Sequence, residues 1–245
     1  MRPLFLSLCE QDGYSVQWVE SGSQIRFCYT LLSDGDGAVT ELVEESEPVS
    51  AGTGERLLEK FDELIAHDPD LNWLIISGTK AAGFSDAVIP SMTQRAKEKG
   101  LKVILDIKGK DLTESLKYHP DIVKPNLFEF ASEFAPELIS NNELITIDAP
   151  AKERIKSAVM DMAQKYKCRI ILTNGSGKII AAESEFFEIE VRPVKAVNSI
   201  GCGDAFTAGL AAALEDGLGF REAIGEGCRC GALNAALVRP GVIRK

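Results

Sequence analysis

The chain has 245 residues, 45% of them hydrophobic, and carries a formal net charge of −10. This length and apolar content suffice for one domain with a full hydrophobic core and a small appendage. The acidic balance argues against a broad surface for nucleic acid or for an anionic membrane, so any bound phosphate must be held locally.

The first part of the chain is rich in β-forming residues. Residues 1–18 are typical of a helix followed by a strand, and residues 24–32 and 38–43 predict the two strands of a hairpin. Residues 33–37, Ser-Asp-Gly-Asp-Gly, predict the turn between them rather than a calcium loop, because the distal ligands of such a loop are absent. An isolated hairpin is marginally stable, so we expect it to pack on a larger sheet or on a partner chain.

From about residue 52 the sequence alternates between amphipathic segments and short apolar runs. This pattern predicts parallel strands joined by crossover helices, and hence an α/β fold of three layers with a Rossmann-like, mostly parallel sheet between helices. Ligands bind such sheets at the carboxyl ends of the strands. The predicted helices span residues 55–67, 86–99, 112–118, 152–166, 204–214 and 221–237, and the predicted strands span residues 74–77, 102–106, 121–124, 169–173, 178–182 and 186–191.

Polar motifs follow several predicted strands. Ser77, Gly78 and Thr79 end the first strand of this region, and Asp106 ends the second. Both motifs can serve as ligand-binding loops or simply as turns whose polar side chains cap a helix.

Residues 124–129 read Lys-Pro-Asn-Leu-Phe-Glu and follow the third strand. Proline ends the strand and Asn126 opens a helix, so that Asn126 and Glu129 face the same side of one turn. Such a pair can hold waters around Mg²⁺, while Lys124 offers a point charge to a phosphate. The alternative is a capping box, in which Asn126 caps the helix and Glu129 reaches back to it.

Two later motifs also have both a ligand-binding and a purely structural interpretation. The run Thr173, Asn174, Gly175, Ser176 and Gly177 can bring the backbone close to a nucleotide, or can form the tight turn of the hairpin that follows. Asn234 lies on a helix of small residues, which leaves room for a flat base but also suits close helix packing.

The most informative stretch precedes a helix rich in alanine and leucine. Gly201, Cys202 and Gly203 predict a loop whose N–H groups stabilise an anion at the helix N-terminus. Asp204 lies in the first helical turn, where it can accept the proton of an attacking hydroxyl group. The alternative is an ordinary helix start with an acidic first turn.

Together these motifs resemble the ribokinase-like (PfkB) family of carbohydrate kinases. Residues 201–204 resemble the family's Gly-Ala-Gly-Asp signature, and residues 124–129 resemble its Lys-Pro-Asn-x-x-Glu motif. Residues 173–177 resemble its nucleotide loop, although the second glycine comes one position early. Arg26 aligns with the Thr-Arg-x-Asn/Cys segment of the phosphosugar kinases, and the likeness is greatest to the 1-phosphofructokinase and tagatose-6-phosphate kinase branch.

The resemblance implies one ribokinase-like domain over residues 1–245, with residues 24–43 as a lid that also pairs two subunits of a homodimer. It implies a kinase that uses ATP and Mg²⁺ to phosphorylate a sugar phosphate such as fructose 1-phosphate or tagatose 6-phosphate. The implied residues are Gly201, Cys202, Gly203 and Asp204 for catalysis; Lys124, Asn126, Glu129, Thr173, Gly175, Gly177 and Asn234 for ATP; Arg26, Ser77, Gly78 and Asp204 for the sugar phosphate; and Asn126 and Glu129 for Mg²⁺ through water.

The sequence departs from the family at its N-terminal side. The family has further strands before the hairpin, with a sugar-binding Asp and a Gly-Gly-x-x-Asn motif, and this sequence has no counterpart. We therefore expect a chain that begins partway through the fold. A displaced gene start, a truncated kinase or a split kinase would each explain this. The alternative function is a remnant that binds nucleotide without phosphorylating sugar. An oxidoreductase is disfavoured because the Gly-x-Gly-x-x-Gly loop is missing.

The six cysteines show no paired framework, and no secretory leader or long apolar run is evident. These features predict a cytoplasmic protein.

Overall fold

The computed structural model describes residues 2–33, 35, 38–141, 143–144 and 147–243. In this part of the chain the elements follow in the order α1 (Arg2–Gln11), β1 (Cys28–Leu32), β2 (Val39–Val43), α2 (Thr53–His67), β3 (Trp73–Ser77), α3 (Val88–Glu98), β4 (Lys102–Asp106), α4 (Gly109–Ser115), β5 (Ile122–Val123), α5 (Leu127–Phe134), β6 (Ile139–Ser140), β7 (Glu143–Leu144), α6 (Ala149–Tyr166), β8 (Arg169–Leu172), β9 (Ile179–Ala182), β10 (Phe186–Ile189), α7 (Cys202–Glu215) and α8 (Phe220–Ala235). Short 3₁₀ helices, Leu116–Tyr118 and Pro136–Leu138, follow α4 and α5.

The predicted α/β sheet is confirmed. Six strands lie in the order β10-β9-β8-β5-β4-β3. Strands β3, β4, β5 and β8 are parallel, while β9 and β10 continue the sheet as antiparallel strands. The carboxyl ends of four parallel strands therefore meet at one edge of the sheet.

Side chains that alternate along the strands are buried in two separate cores, one on each face of the sheet. The sheet is therefore the middle of three layers. Val103 and Leu105 of β4 lie in the core beneath α2 to α6. Ile104, between them, lies in the second core with Phe206 of α7 and Ile224 of α8. The apolar run of β4 is therefore explained by burial on both faces.

The N-terminal part differs from its prediction in two places. Helix α1 forms, but residues 14–18 have no strand, and β1 begins at Cys28 rather than at residue 24. Before β1 the Gln24 and Phe27 N–H groups donate to the side chains of Glu47 and Glu44, at 3.0 and 2.8 Å, and not to carbonyl groups of a neighbouring strand. Asp34, Asp36 and Gly37 of the predicted turn lie outside the described residues, although the Ser33 N–H donates to the Ala38 carbonyl across the hairpin.

The hairpin has one apolar face that is open to solvent. Cross-strand partners share a face, so Tyr29 and Leu42 lie together, and Leu31 lies on the same side. These three side chains are 53%, 54% and 55% exposed, respectively. The hairpin forms a sheet of its own and does not join the central one.

Other boundaries shift by a few residues. The helix predicted at 112–118 begins at Gly109 and tightens into a 3₁₀ turn, and the predicted last helix ends at Ala235. The small ribbon of β6 and β7 was not predicted. Among the described residues, no helix combines the length and the apolar character needed to cross a membrane.

Candidate active site

A cleft of about 240 Å³ lies where the parallel strands end and α7 begins. The last residues of β3 and β4, Ser77 and Asp106, are register partners, and Asn126 after β5 forms a bridge with Thr173 after β8. The backbone ladder thus brings the motifs at the strand ends together. The lining residues are Ser77, Gly78, Thr79, Asp106, Ile107, Lys108, Lys124, Asn126, Glu129, Thr173, Gly201, Gly203 and Asp204.

The loop before α7 is built as a helix start with open N–H groups. Gly201 precedes the helix with a left-handed φ of 72°, a conformation that favours glycine. The first turn of an α-helix leaves its N–H groups without intrahelical acceptors. Gly203 and Asp204 of this turn line the cleft, so their N–H groups are placed where an anion can bind.

Two buried asparagines hold this loop in place. Asn198 accepts a hydrogen bond from the Ile200 N–H at 3.0 Å and donates to the Val238 carbonyl at 2.9 Å. The Asn234 amide donates to the Ile200 carbonyl at 2.7 Å and accepts from the Gly241 N–H at 2.8 Å. The loop is therefore fixed before any ligand arrives.

The position of Asn234 favours the packing alternative over its predicted contact with ATP. The residue is fully buried, is not part of the cleft lining, and uses its amide on the backbone. The same amide also donates to Cys202 Sγ at 3.5 Å, so both its nitrogen and its oxygen are used within the protein.

Two carboxylates line the cleft, and they differ in the number of their hydrogen-bond partners. Asp106 Oδ2 lies within hydrogen-bonding distance of Thr207 Oγ1 at 2.8 Å, Lys124 Nζ at 3.1 Å and Ser77 Oγ at 3.0 Å. Asp204 Oδ1 lies 3.0 Å from the same Ser77 hydroxyl group, which can donate its single proton to only one carboxylate at a time. Among the described residues no other side chain hydrogen-bonds to Asp204, so this carboxylate retains free lone pairs.

Lys124 is a buried charge, with its side chain 2% exposed. Its ammonium group pairs with Asp106 and lies 5.4 Å from the centre of the Phe206 ring. A buried ammonium group needs such partners because desolvation is costly. Lys124 consequently lines the cleft as a cation whose charge is largely offset by Asp106.

The capping-box alternative for Asn126 and Glu129 is what the local structure shows. The Glu129 N–H donates to Asn126 Oδ1 at 2.8 Å, and the Asn126 N–H donates to Glu129 Oε2 at 3.1 Å. The second carboxylate oxygen, Oε1, lies 3.2 Å from Lys108 Nζ. Both side chains still line the cleft, and the cap fixes their orientation.

The side-chain oxygens of Asn126 and Glu129 suit Mg²⁺ but are too few to bind it by themselves. Amide and carboxylate oxygens are suitable ligands, and Mg²⁺ keeps several waters and takes much of its coordination from substrate phosphates. Within the described residues, no group of three or more acidic, cysteine or histidine side chains could form a metal site. The donor set therefore suits a metal that arrives with a nucleotide, not one held by the protein.

The loop at residues 173–177 is divided between the cleft and a turn. Thr173 lines the cleft, and its carbonyl accepts from the Leu127 N–H at 2.8 Å. Gly175 has a φ of 54°, and the Gly177 N–H donates to the Asn174 carbonyl at 2.7 Å, which closes the turn before β9. Gly175 and Gly177 are not part of the cleft lining.

Arg26 is not brought to the cleft. It lies before β1, is exposed, and is absent from the lining residues. Ser77 and Gly78 do line the cleft, as expected.

The contacts of three residues at or near the site were not predicted from the sequence. Thr207 follows Asp204 by three positions, and helical spacing places both on the same side of α7. Lys108 follows Asp106 by two positions in the loop before α4. Asn198 begins the stretch that leads into the glycine loop, but its contacts could not be predicted, because they depend on the backbone of residues 200 and 238.

The loop after β3 is tied to α4 by an ion-pair network. Lys80 pairs with Asp111 and with Asp86, which also pairs with Lys110 at 2.7 Å. Partial burial opposes the charge of Lys80, but the hydrogen bonds to both carboxylates outweigh it and raise its pKa above the ordinary value. The backbone of Gly78 itself is held at the cleft by β4, because its N–H donates to the Asp106 carbonyl at 3.0 Å.

A second cleft, of about 500 Å³, lies beside α8 and is mainly apolar. Its lining includes the apolar residues Ile189, Val194, Ala232, Leu233 and Ala236, together with the charged residues Glu190, Arg192 and Arg229. A cleft of this character suits a flat, largely apolar ring system.

Comparison with protein families and known structures gives a consistent result. The model of the pfkB family of carbohydrate kinases matches residues 5–240. The chain is 26% identical to a D-tagatose-1-phosphate kinase of Bacillus licheniformis over 196 residues, which is 80% of this chain and 60% of the relative.

Solved structures show the same fold. Phosphofructokinase-2 from Escherichia coli in complex with fructose-6-phosphate superimposes with a TM-score of 0.78 at 20% identity, covering 94% of this chain and 71% of the other. Arabidopsis thaliana ribokinase complexed with ribose and ATP gives a TM-score of 0.63 at 19% identity, covering 93% of this chain and 69% of the other.

Proposed function

Because the chain belongs to the pfkB family of carbohydrate kinases, we propose that it transfers a phosphoryl group from ATP to a hydroxyl group of a sugar phosphate. The single observation that carries this proposal is Asp204, a carboxylate with free lone pairs beside the open N–H groups of α7. A base adjacent to an anion site is the arrangement that phosphoryl transfer to an alcohol requires.

In the proposed reaction the acceptor hydroxyl group lies against Asp204 and the terminal phosphate of ATP against the N–H groups of Gly203 and Asp204. The acceptor oxygen forms a bond to the γ-phosphorus, and the bond between that phosphorus and the bridging oxygen breaks. ADP leaves with the electron pair, and the proton of the hydroxyl group passes to Asp204. The helix N-terminus offsets the charge of the group in transfer.

The donor side of the cleft is formed by Lys124, Asn126, Glu129 and Thr173. We assign the adenine ring to the apolar cleft beside α8, because Asn234, the expected contact, faces inward. Gly175 and Gly177 can still approach the nucleotide through their backbone. Mg²⁺, when bound with ATP, would neutralise phosphate charge, and Asn126 and Glu129 would hold it through water.

The acceptor side is formed by Ser77, Gly78 and Asp204. The relatives named above act on tagatose 1-phosphate or bind fructose-6-phosphate, which supports a ketohexose phosphate such as fructose 1-phosphate or tagatose 6-phosphate. A role of Arg26 in binding its phosphate, as part of the lid at residues 24–43, remains a prediction. So does the homodimer through the hairpin.

The test is an assay of ADP release by the purified chain with ATP, Mg²⁺ and each of these sugar phosphates. Replacing Asp204 by Asn should lower turnover by about 10²–10⁴-fold, because the base is lost while the anion site remains. ATP affinity, measured by calorimetry, should stay near the wild-type value. Unchanged turnover in Asp204→Asn would remove Asp204 from the mechanism, and ATP binding without turnover in the wild type would favour a nucleotide-binding protein.

A further inference from the structure

We propose that Lys108 is the cation that binds a phosphoryl group in the cleft, and that it exchanges Glu129 for that group when a ligand enters. The inference rests on the proposed function and deepens it. Lys108 lies in the loop between β4 and α4 and lines the cleft, with its side chain 60% exposed. Its Nζ lies 3.2 Å from Glu129 Oε1.

The balance of charge in the cleft points to Lys108. The described lining residues include three carboxylates, of Asp106, Glu129 and Asp204, and two ammonium groups, of Lys108 and Lys124. Lys124 is buried and offset by Asp106. Of these two ammonium groups, that of Lys108 is therefore the one that is exposed to the cleft and can reorient toward an incoming phosphate.

The pair between Lys108 and Glu129 can be exchanged at little cost. An exposed ion pair of this kind contributes about 0–1 kcal/mol, whereas a charge-assisted contact with a phosphate is stronger. Glu129 cannot follow the lysine, because its other oxygen accepts the Asn126 N–H in the capping box. The lysine, with its flexible four-carbon stem, is the partner that moves.

The phosphates of the donor and of the acceptor share the chemistry that Lys108 would recognise. The experiment therefore measures two ligands by calorimetry without Mg²⁺: ADP in EDTA, and fructose 1-phosphate. Lys108→Gln should weaken the binding of one of them by roughly 10-fold or more, and the ligand affected identifies which phosphate Lys108 contacts.

Lys110→Gln is the matched control. Lys110 is also exposed and ion-paired, to Asp86 at 2.7 Å, but it does not line the cleft. We expect it to bind both ligands as the wild type does. Equal weakening in Lys108→Gln and Lys110→Gln would indicate a general effect of charge and overturn the proposal, as would unchanged binding in Lys108→Gln.

Glu129→Gln tests the exchange itself. Glutamine keeps an oxygen for the capping box but releases Lys108, so the affected ligand should bind more tightly than to the wild type. That gain should vanish in the double variant with Lys108→Gln; a gain that persists would contradict the exchange.

The outcomes separate the two proposals. A wild type that releases ADP normally, with Lys108→Gln indistinguishable from Lys110→Gln, overturns the role of Lys108 and leaves the kinase intact. A wild type that shows the binding differences but transfers no phosphoryl group overturns the kinase and leaves Lys108. A wild type that binds neither ligand overturns both.

Discussion

At the scale of single residues, two aspartates of the site differ in function because their hydrogen-bond partners differ. Asp106 and Asp204 are both aspartates in one cleft, within reach of one serine hydroxyl group. Asp106 is engaged by Thr207 and Lys124, whereas Asp204 is not. Asp106 therefore organises the site, and Asp204 is left as the group that can accept a proton.

Thr207 provides a test of that organising role. The Thr207 hydroxyl group lies 2.8 Å from Asp106 Oδ2 and 3.0 Å from the Gly203 carbonyl oxygen. Replacing Thr207 by Val keeps the shape of the side chain but removes both contacts. We expect a loss of about 1–3 kcal/mol in the free energy of unfolding, measured by urea denaturation, together with slower ADP release.

Thr207→Ser is the control, because it retains the hydroxyl group and should preserve most of the activity and stability. If Thr207→Val unfolds at the wild-type urea concentration, the Thr207 hydroxyl group, with its contacts to Asp106 and to the Gly203 carbonyl, contributes nothing to stability.

At the scale of elements, the position of α7 depends on its close packing against α8. A Cβ added to Gly209 of α7 would lie 2.7 Å from Cys230 Sγ and 3.1 Å from the Glu226 carbonyl oxygen. The two helices can approach this closely because glycine has no side chain. Since α7 carries the anion site at its N-terminus, this packing also sets the geometry of the cleft.

The glycines of these helices give a paired prediction. Gly209→Ala should destabilise the protein by about 1–3 kcal/mol through overpacking. Gly225→Ala in α8, where a Cβ would meet nothing within 4 Å, should be neutral or stabilise by up to about 1 kcal/mol, because alanine favours the helix.

Thermal unfolding without nucleotide measures both variants. A shift of about 2–4 °C per kcal/mol is expected for a chain of this size. Equal melting temperatures of Gly209→Ala and Gly225→Ala would show that the contact with Cys230 does not limit the approach of the helices.

At the scale of the whole molecule, the hairpin presents apolar surface that the described chain leaves uncovered, as α1 also does. Tyr29, Leu31 and Leu42 form one exposed face on a sheet of two strands. A two-stranded sheet gains stability from a further layer, and in the proposed homodimer the hairpin of a second copy supplies it.

The homodimer predicts different behaviour for two adjacent residues. Leu42→Lys places a charge on the face shared with Tyr29 and should convert a dimer into a monomer, measured by light scattering after gel filtration. Val43→Lys is the control, because Val43 pairs with Cys28 on the opposite face and is similarly exposed, at 56%. A mass that is the same for wild type and Leu42→Lys would exclude pairing through this face.

The sequence by itself determined the architecture and most of the cleft. Alternating amphipathic and apolar segments predict crossover helices and buried strands, because burial on both faces of a sheet requires that pattern. The carboxyl ends of parallel strands must meet at one edge, so Ser77, Lys124, Asn126 and Thr173 could be placed together from their positions alone. Short-range chemistry also predicted the capping box and the turn before β9 as alternatives, and both form.

The tertiary structure decided which of these groups is free to react. Thr207 and Asp106 are 101 positions apart and meet only because α7 packs on the sheet, and Asn234 turns inward because the loop before α7 needs its amide. Residues 14–18 form no strand despite their composition, since a strand requires a neighbour with which to pair. The periodicity of the sequence shows which face of a helix or strand is apolar. It does not show which polar groups of distant elements will form hydrogen bonds when those faces pack together.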